Sequence, residues 1–495
     1  MCHCEAVLFR RSSPLSQGIA SLAEGRSLAM TQTREKMDKS IIAQLTTITG
    51  KDGVLSTPED LAVYGYDATF EDHRPDVVVL PRTSEQVSQA LALAARERIP
   101  LVTRGMGSGL AAASVPFNGG IALTMTRMNR ILEIDTVNAT AHVEAGVVTA
   151  DLQAAVEKLG LFYPPDPSSI RHSTIGGNIA CNAGGPRCLK YGVTGDYVLG
   201  LTVVLADGRI LHTGGKCIKD VVGYDLKALF TGSEGTLGVI TEALLRLIAK
   251  PKFARTALVE FVRLDDASRT VNVILQAGVV PATLELMDET AIACIEAALH
   301  LGLPLDVEAI LLIEADGSDE AAVLREMEAV TETCRARGAR QVKVAEDETE
   351  RASLWRARRS LSPSLARKAP NKLGEDITVP RSAIPETVRR LKAISTKYEL
   401  PIVIYGHAGD GNLHPTILFD KRDPEQSVRV EQMAAEEFAL ALELGGTLSG
   451  EHGVGTLKRP YMQQALGPLS LEVQKRVKQA LDPLNILNPG KVFPE

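Results

Sequence analysis

The residues best suited to chemistry sit in two glycine-rich stretches of the second half of the chain. In "VIYGHAGDGNLHP", residues 403–415, His407 and His414 bracket a turn that carries Asp410 and Asn412. In "LSGEHGVGTLKRP", residues 448–460, Glu451 and His452 are adjacent and flanked by glycines. Two imidazoles and a carboxylate, His407, His414 and Glu451, form a three-ligand set that leaves positions open for substrate, the design of a catalytic rather than a structural metal site. The chain between the histidines must fold back tightly, and Gly409 and Gly411 suit such turns. A lone histidine is usually an ordinary loop residue. The clustering of His, Asp, Asn, Glu and Gly in two apolar-flanked loops argues instead for a site. Its composition suits Zn(II), Mn(II), Co(II) or Fe(II).

Two further glycine-rich stretches lie in the first half. "VTRGMGSGLAAASVP" places Gly105, Gly107 and Gly109 after a strand, where backbone amides can approach an anion with no Cβ in the way. Gly107, Gly109 and Ala112 also satisfy the dinucleotide pattern G-x-G-x-x-A, with Glu133 further along. That alternative needs a helix directly after the loop, and Pro116 with the turn "FNGG" cuts the segment short. "YPPDPSSIRHSTIGGNIACNAGGPRCLKYGVTGDYV" is long, irregular and glycine-dense, which is expensive in chain entropy unless something like an extended cofactor orders it.

"RGMGSGL", "DPSSIRHSTIGGNIACNAGG", "KYGVTGDYV" and "FTGSEGTLGVIT" resemble the FAD-binding half of the vanillyl-alcohol oxidase, or PCMH-type, flavoproteins. Residues 55–494 resemble the branch of that family containing glycolate oxidase, D-lactate dehydrogenase and D-2-hydroxyglutarate dehydrogenase. The resemblance implies FAD, with its pyrophosphate on Arg104, Gly105, Met106, Gly107, Ser108 and Gly109. It lines the flavin with Asp166, Thr174, Gly177, Asn178 and Gly185, and adds Glu234, Val239 and Ile240. Ser108 stands where some relatives carry a histidine bonded to the cofactor, so non-covalent FAD is expected. Met106 and Ala111 to Ala113 replace the more usual glycine or serine, which should stiffen the loop slightly.

The same resemblance puts a divalent metal, zinc first, on His407, His414 and Glu451, with His452 as general base. In "LWRARRSLSPSLARKAPNKLGEDITVP" it places Arg358 on the substrate carboxylate and Ser362 one turn later. Gly374 replaces a lysine that some relatives use, leaving Lys372 as a stand-in. Arg356 and Arg359 read as a solvated helix face. The implied reaction is oxidation of a small 2-hydroxy carboxylate, glycolate or a D-2-hydroxy acid such as D-lactate, to the 2-oxo acid. No iron–sulfur spacing such as C-x2-C-x2-C is present, so electrons must leave through a partner. By resemblance that partner is an iron–sulfur subunit, a quinone, a cytochrome or an electron-transfer flavoprotein. Two readings compete: a flavin-free metallohydrolase using the same His/His/Glu set, and a non-catalytic FAD-bearing subunit of a larger complex.

These motifs need a scaffold, and 495 residues imply two or three domains. Apolar and charged fractions of 45% and 23% are those of a globular chain, and a net charge of -7 gives no footprint for nucleic acid. No run of about eighteen apolar residues occurs, so membrane contact is expected to be peripheral at most. Seven scattered cysteines make a poor disulfide framework, which favours the cytoplasm, with contact at the inner membrane face. Cys2 and Cys4 have no second pair with which to hold zinc.

Residues 1–40 read as a disordered or mis-started tail, with Met30 or Met37 as alternative starts. Periodicity predicts a strand at 76–80, a helix at 84–97 with Ser84 near its cap, a strand at 100–103 and a helix at 149–160. After "KPKF" at 250–253 it predicts strands at 254–262 and 309–317 and helices at 265–278 and 320–338. The expected fold is α+β: a two-part PCMH-type FAD-binding domain over 41–250, a ferredoxin-like substrate or cap domain over 251–460, and a C-terminal helical segment, 461–495, that returns to the FAD domain.

Overall fold

The computed structural model describes residues 37–494. Cys2, Cys4, Met30 and most of the expected tail lie outside these residues. The tail expectation ends too late, because a helix capped by Asp38 already begins at Lys39. It buries Ile41 and Leu45, and Met37 packs against the same core.

A βαβ unit builds the first sheet. Val77–Val79 is buried throughout, and helix Ser84–Glu97 turns Val87, Ala90, Leu91 and Ala94 inward. Leu101–Arg104 then runs back parallel, with Ile121–Thr124 paired between the two strands. The helix is capped by Thr83, one residue before the expected position, while Ser84 Oγ lies 2.9 Å from Thr241 Oγ1. No helix follows Leu101–Arg104 before the next strand, which removes the dinucleotide alternative.

A second, antiparallel sheet has the order Ile131–Asp135, Thr140–Glu144, Val239–Arg246, Val198–Val204, Ile210–Gly214. The glycine-dense stretch that precedes Val198 is less irregular than its composition suggests. It contains the helix Ile175–Cys181, whose cap Thr174 accepts from Gly177 N, and the short helix Cys188–Tyr191. Paired glycines are poor helix formers, so tertiary packing of the buried Ile175 and Ile179 overrides propensity here.

The second half is built on a seven-stranded antiparallel sheet in the order Gln341–Val344, Phe253–Phe261, Ala309–Gly317, Thr283–Asp288, Tyr405–His407, Asn412–Leu413, Ile377–Thr378. The strand Ala309–Gly317 opens on an unbroken apolar run, 309–313, because both its faces are covered. Ala309, Leu311, Ile313 and Ala315 enter one core, and Ile310 and Leu312 enter another on the opposite face.

The helix Met462–Leu481 is kinked at Gly467, where Pro468 follows. The chain beyond it packs on the first half. Leu101 N donates to Ile486 O, Asn488 Nδ2 donates to Ala113 O and Glu234 O, and Lys491 Nζ donates to Ala113 O and Val115 O. Asp482 fastens this segment. It pairs with the buried Lys478 and accepts from Ile486 N and Leu487 N, while Lys478 Nζ also reaches Thr236 O at 2.8 Å.

Asp482→Ala would leave Lys478 a buried charge without its counter-ion, a change that typically costs about 3–5 kcal/mol. The variant should be cleaved beyond Leu481 by a protease at concentrations that wild type resists. Equal resistance would mean that the segment is held by other contacts.

Candidate active site and metal centre

One cavity of about 860 Å³ joins the two halves of the chain. Its walls on one side are the first glycine loop, with Arg104, Gly105, Met106, Gly107, Ser108 and Gly109. Asp166, Thr174, Gly177, Asn178, Glu234 and Ile240 complete that side, and Arg358, His414, Glu451 and His452 line the other. Two expected cofactor residues are not in its wall. Val239 is fully buried in the core behind the first sheet. Gly185 stands behind Asp166, with a Cβ position only 2.6 Å from Asp166 O.

The first loop offers backbone rather than side chains. Gly107 takes φ +71, and a Cβ there would lie 2.1 Å from Arg104 Nη2, so the loop can close only over glycine. Arg104 itself donates from Nη1 to Tyr64 O and Tyr66 O, so its guanidinium braces the loop as well as lining the cavity. Ala112 holds φ +58, a conformation in which a side chain is strained. Glu234 ties the flavin side to the metal side: its carboxylate accepts from Val454 N and Gly455 N, both at 2.7 Å. A cavity of this size, shaped by loops that a Cβ would obstruct, fits an extended dinucleotide such as FAD.

On the metal side, Glu451 Oε1 is the focus of three imidazoles. His407 Nε2 lies 3.5 Å away, His414 Nε2 3.4 Å and His452 Nε2 3.8 Å. Ligands about 2.0–2.1 Å from a tetrahedral ion stand roughly 3.3 Å from one another, so this spacing fits a bound divalent metal. His407 Nε2 is buried with no hydrogen-bond partner, a second feature that a metal would satisfy. Gly411 makes the turn between the histidines at φ +89, whereas Gly409 serves close packing, its Cβ position being 2.5 Å from Leu189 Cδ2.

Ligand atoms of Asp376, His414, Glu451 and His452 also lie within 4.8 Å of one another. Asp376 is nevertheless already engaged. Its Oδ2 accepts from Ser449 Oγ and from the backbone N–H groups of Gly450, Glu451 and His452, and its Oδ1 accepts from Asn412 Nδ2. It is the anchor that shapes the 449–452 loop, which leaves His407, His414 and Glu451 as a set that could hold a metal. His452 is more exposed than His407 and faces the cavity, whereas His407 stands behind it.

Charge divides these groups. Burial and the charge on His407 push His414 down to about 3. Burial also disfavours charge on His407, but the carboxylates of Glu285 and Glu451 outweigh it and hold its pKa well above the ordinary value. Burial similarly opposes ionisation of Asp376, yet His452, Lys458 and His414 keep its carboxyl far below the usual range. Away from the metal side, burial pushes Asp166 up to about 6.

Arg358 lines the cavity, buried, with Nε donating to Glu285 Oε2 at 2.7 Å. Arg356 and Arg359 were expected on a solvated face. Both are exposed, as expected, and both also line the cavity, where Arg359 stacks 5.7 Å over Trp355. Lys372 is not in the wall: its Nζ donates to Ser362 O and Oγ, and only Ser362 reaches the cavity. Sequence reasoning missed Asp376, Glu285 and Cys181, whose Sγ meets Glu451 O at 3.1 Å. Glu285 had one signal, an acidic residue within the apolar strand-like run "ATLELM", which is costly to bury without a partner.

Residues 75–214 match the family described as FAD binding domain, and residues 250–492 match FAD linked oxidases, C-terminal domain. The chain is 48% identical over 456 residues to the glycolate oxidase subunit GlcD of Bacillus subtilis, covering 92% of this chain and 97% of that one. It is 35% identical to the D-lactate dehydrogenase of Anaerostipes hadrus, covering 88% and 92%. In fold it is similar to 4-ethylphenol oxidase from Gulosibacter chungangensis, with a TM-score of 0.76 at 22% identity, covering 92% and 97%.

Asp376→Ala should release the 449–452 loop. Zinc affinity, read by chelator competition, is expected to fall at least about tenfold, the usual scale for removing an outer-shell partner. FAD absorbance should be unchanged, because the first glycine loop does not touch Asp376. Unaltered zinc affinity would show that the loop keeps its shape without this carboxylate.

Proposed function

The chain belongs to the FAD-linked oxidases and is an FAD-dependent oxidoreductase, and on that premise we propose that it oxidises glycolate or a D-2-hydroxy acid such as D-lactate to the 2-oxo acid. The observation that carries this reading is the convergence, at one cavity, of the glycine loops, a buried arginine, and His414 and Glu451, with His407 directly behind them. FAD would be held non-covalently by the loop 104–109, by Asp166, Thr174, Gly177 and Asn178, and by Glu234 and Ile240. It would supply the acceptor for the two electrons and hydrogen leaving the substrate α carbon. His407, His414 and Glu451 would hold a divalent metal, zinc by the family resemblance, which would lower the pKa of an oxygen bound to it.

The chain's own residues do the rest. Arg358 presents a planar guanidinium to the substrate carboxylate, and its engaged Nε fixes the plane of the group. His452 takes the hydroxyl proton at Nε2, while its Nδ1 lies 3.9 Å from Asp376 Oδ2, on the side that favours a protonated Nδ1. Loss of that proton and of a hydride equivalent converts the 2-hydroxy acid to the 2-oxo acid. Ser108 offers no nitrogen for a covalent link to the cofactor. Reoxidation then falls to a partner: an iron–sulfur subunit, a quinone, a cytochrome or an electron-transfer flavoprotein. The word "subunit" in the name of the Bacillus relative supports an assembly of several chains. Among the described residues no helix is long and apolar enough to cross a membrane, and we place the protein in the cytoplasm, with peripheral contact at the inner membrane face.

Glycolate, D-lactate, L-lactate and D-2-hydroxyglutarate, supplied with an artificial dye acceptor, test the reading directly. Reduction of bound flavin by glycolate or a D-isomer and not by L-lactate is expected; flavin untouched by all four would overturn it. His452→Ala should lower kcat on the order of a hundredfold and keep its metal, whereas alanine at His407, His414 or Glu451 should empty the metal site. A His452 variant that loses its metal would make His452 a ligand instead. Acid precipitation should release the flavin into solution.

A further inference from the structure

We propose that Glu285 is a positioning residue that makes the carboxylate clamp and the metal centre a single unit, resting on the reading of the site given above. Glu285 lies in the strand Thr283–Asp288, in the interior of the seven-stranded sheet, where every residue is buried. Its neighbours Leu284, Leu286 and Met287 are core residues, and Glu285 itself is fully withdrawn from water. A carboxylate persists at such a position only if its partners compensate for the lost hydration.

It has two partners, one on each oxygen. Oε1 stands 2.6 Å from His407 Nδ1, and Oε2 accepts from Arg358 Nε at 2.7 Å. The first bond puts the proton on Nδ1 and turns Nε2 towards Glu451, the general device by which an outer carboxylate orients a metal-binding imidazole. The second fixes the guanidinium plane of Arg358, which also lies 5.2 Å over the Tyr405 ring, two residues before His407 on the same strand. One rigid, buried carboxylate therefore sets both the direction of a metal ligand and the attitude of the group that meets substrate. A shift of either partner moves the acceptor of the other. Glutamine cannot substitute, because its single carbonyl oxygen leaves an NH₂ facing an N–H donor.

The consequence is that the occupancy of one partner is felt at the other, although Arg358 touches none of the three ligands. The test is a mutant cycle on the FAD-loaded protein, with Glu285→Gln, Arg358→Lys and the double variant. The zinc dissociation constant is read by chelator competition, and FAD content and melting temperature serve as controls for folding. Glu285→Gln is expected to weaken zinc about 10–100-fold, the range for losing an outer-shell partner. Arg358→Lys should weaken it severalfold with Glu285 present and add nothing in the Glu285→Gln background. Zinc affinity unmoved by Arg358→Lys, or lowered equally in both backgrounds, would overturn the coupling. If Glu285→Gln does not fold, the Arg358→Lys measurement alone decides.

A wild type that binds no zinc would defeat the metal reading and leave the coupling to a second readout. Histidine-selective NMR of the metal-free protein should show a slowly exchanging His407 Nδ1–H proton that Arg358→Lys shifts. An Nδ1–H signal identical in both proteins would overturn the proposal.

Discussion

A carboxylate withdrawn from water must be given donors, and the interior of this protein is arranged around four of them. Glu234, Glu285, Asp376 and Glu451 are all buried or nearly so, and each joins segments that are distant in sequence. Glu234 ties the flavin side to the 454–455 backbone, Asp376 shapes the 449–452 loop, and Glu285 connects an arginine to a histidine. Each would be strongly destabilising alone, so each commits the chain to one arrangement of its neighbours. The arrangement of the active groups follows from where these four charges can be satisfied.

This explains why the candidate groups His414, Glu451 and His452 lie on loops and yet are well placed. Loops usually carry function at the cost of definition. Here the 449–452 loop presents consecutive N–H groups to one oxygen of Asp376, and the strand bearing His407 is paired on both edges, with Thr283–Asp288 and Asn412–Leu413. Of the supporting carboxylates, Glu285 lies within a strand and Asp376 directly before one, so the contacting groups project from a defined frame.

Much of this was legible from residue order. The strands at 309–317 and 101–104, the helices at 84–97 and 320–336, and the loops that meet in one cavity all announce themselves by period and by glycine spacing. The His/His/Glu set stood out by its clustering in two glycine-rich loops and by the family resemblance, and both histidines come within 3.5 Å of Glu451. What escaped was whatever depends on partners far away in sequence. The helix Ile175–Cys181 exists because a core receives Ile175 and Ile179, against the propensity of its glycines. Arg359 faces a cavity because the opposite half of the protein stands before it, and no helical period reports that. Glu285 lies within a short strand and Asp376 directly before one, and their partners lie from 36 to 122 positions away. Val239 follows a recognisable motif, yet the side on which it falls is settled by sheet register.

The return of the last residues to the first half has a temporal meaning. Asn488 and Lys491 hold the carbonyls of Ala113 and Val115, at the end of the loop in which Gly105, Gly107 and Gly109 are exposed to the cavity. These contacts span more than 370 positions. During synthesis from the N-terminus, the first sheet can assemble while the second half is still being made, but this loop lacks the support of Asn488 and Lys491 until those residues have left the ribosome. Completion of the cofactor cradle therefore waits for residues 488–491, and a chain that stops short of them carries a cradle with one side missing.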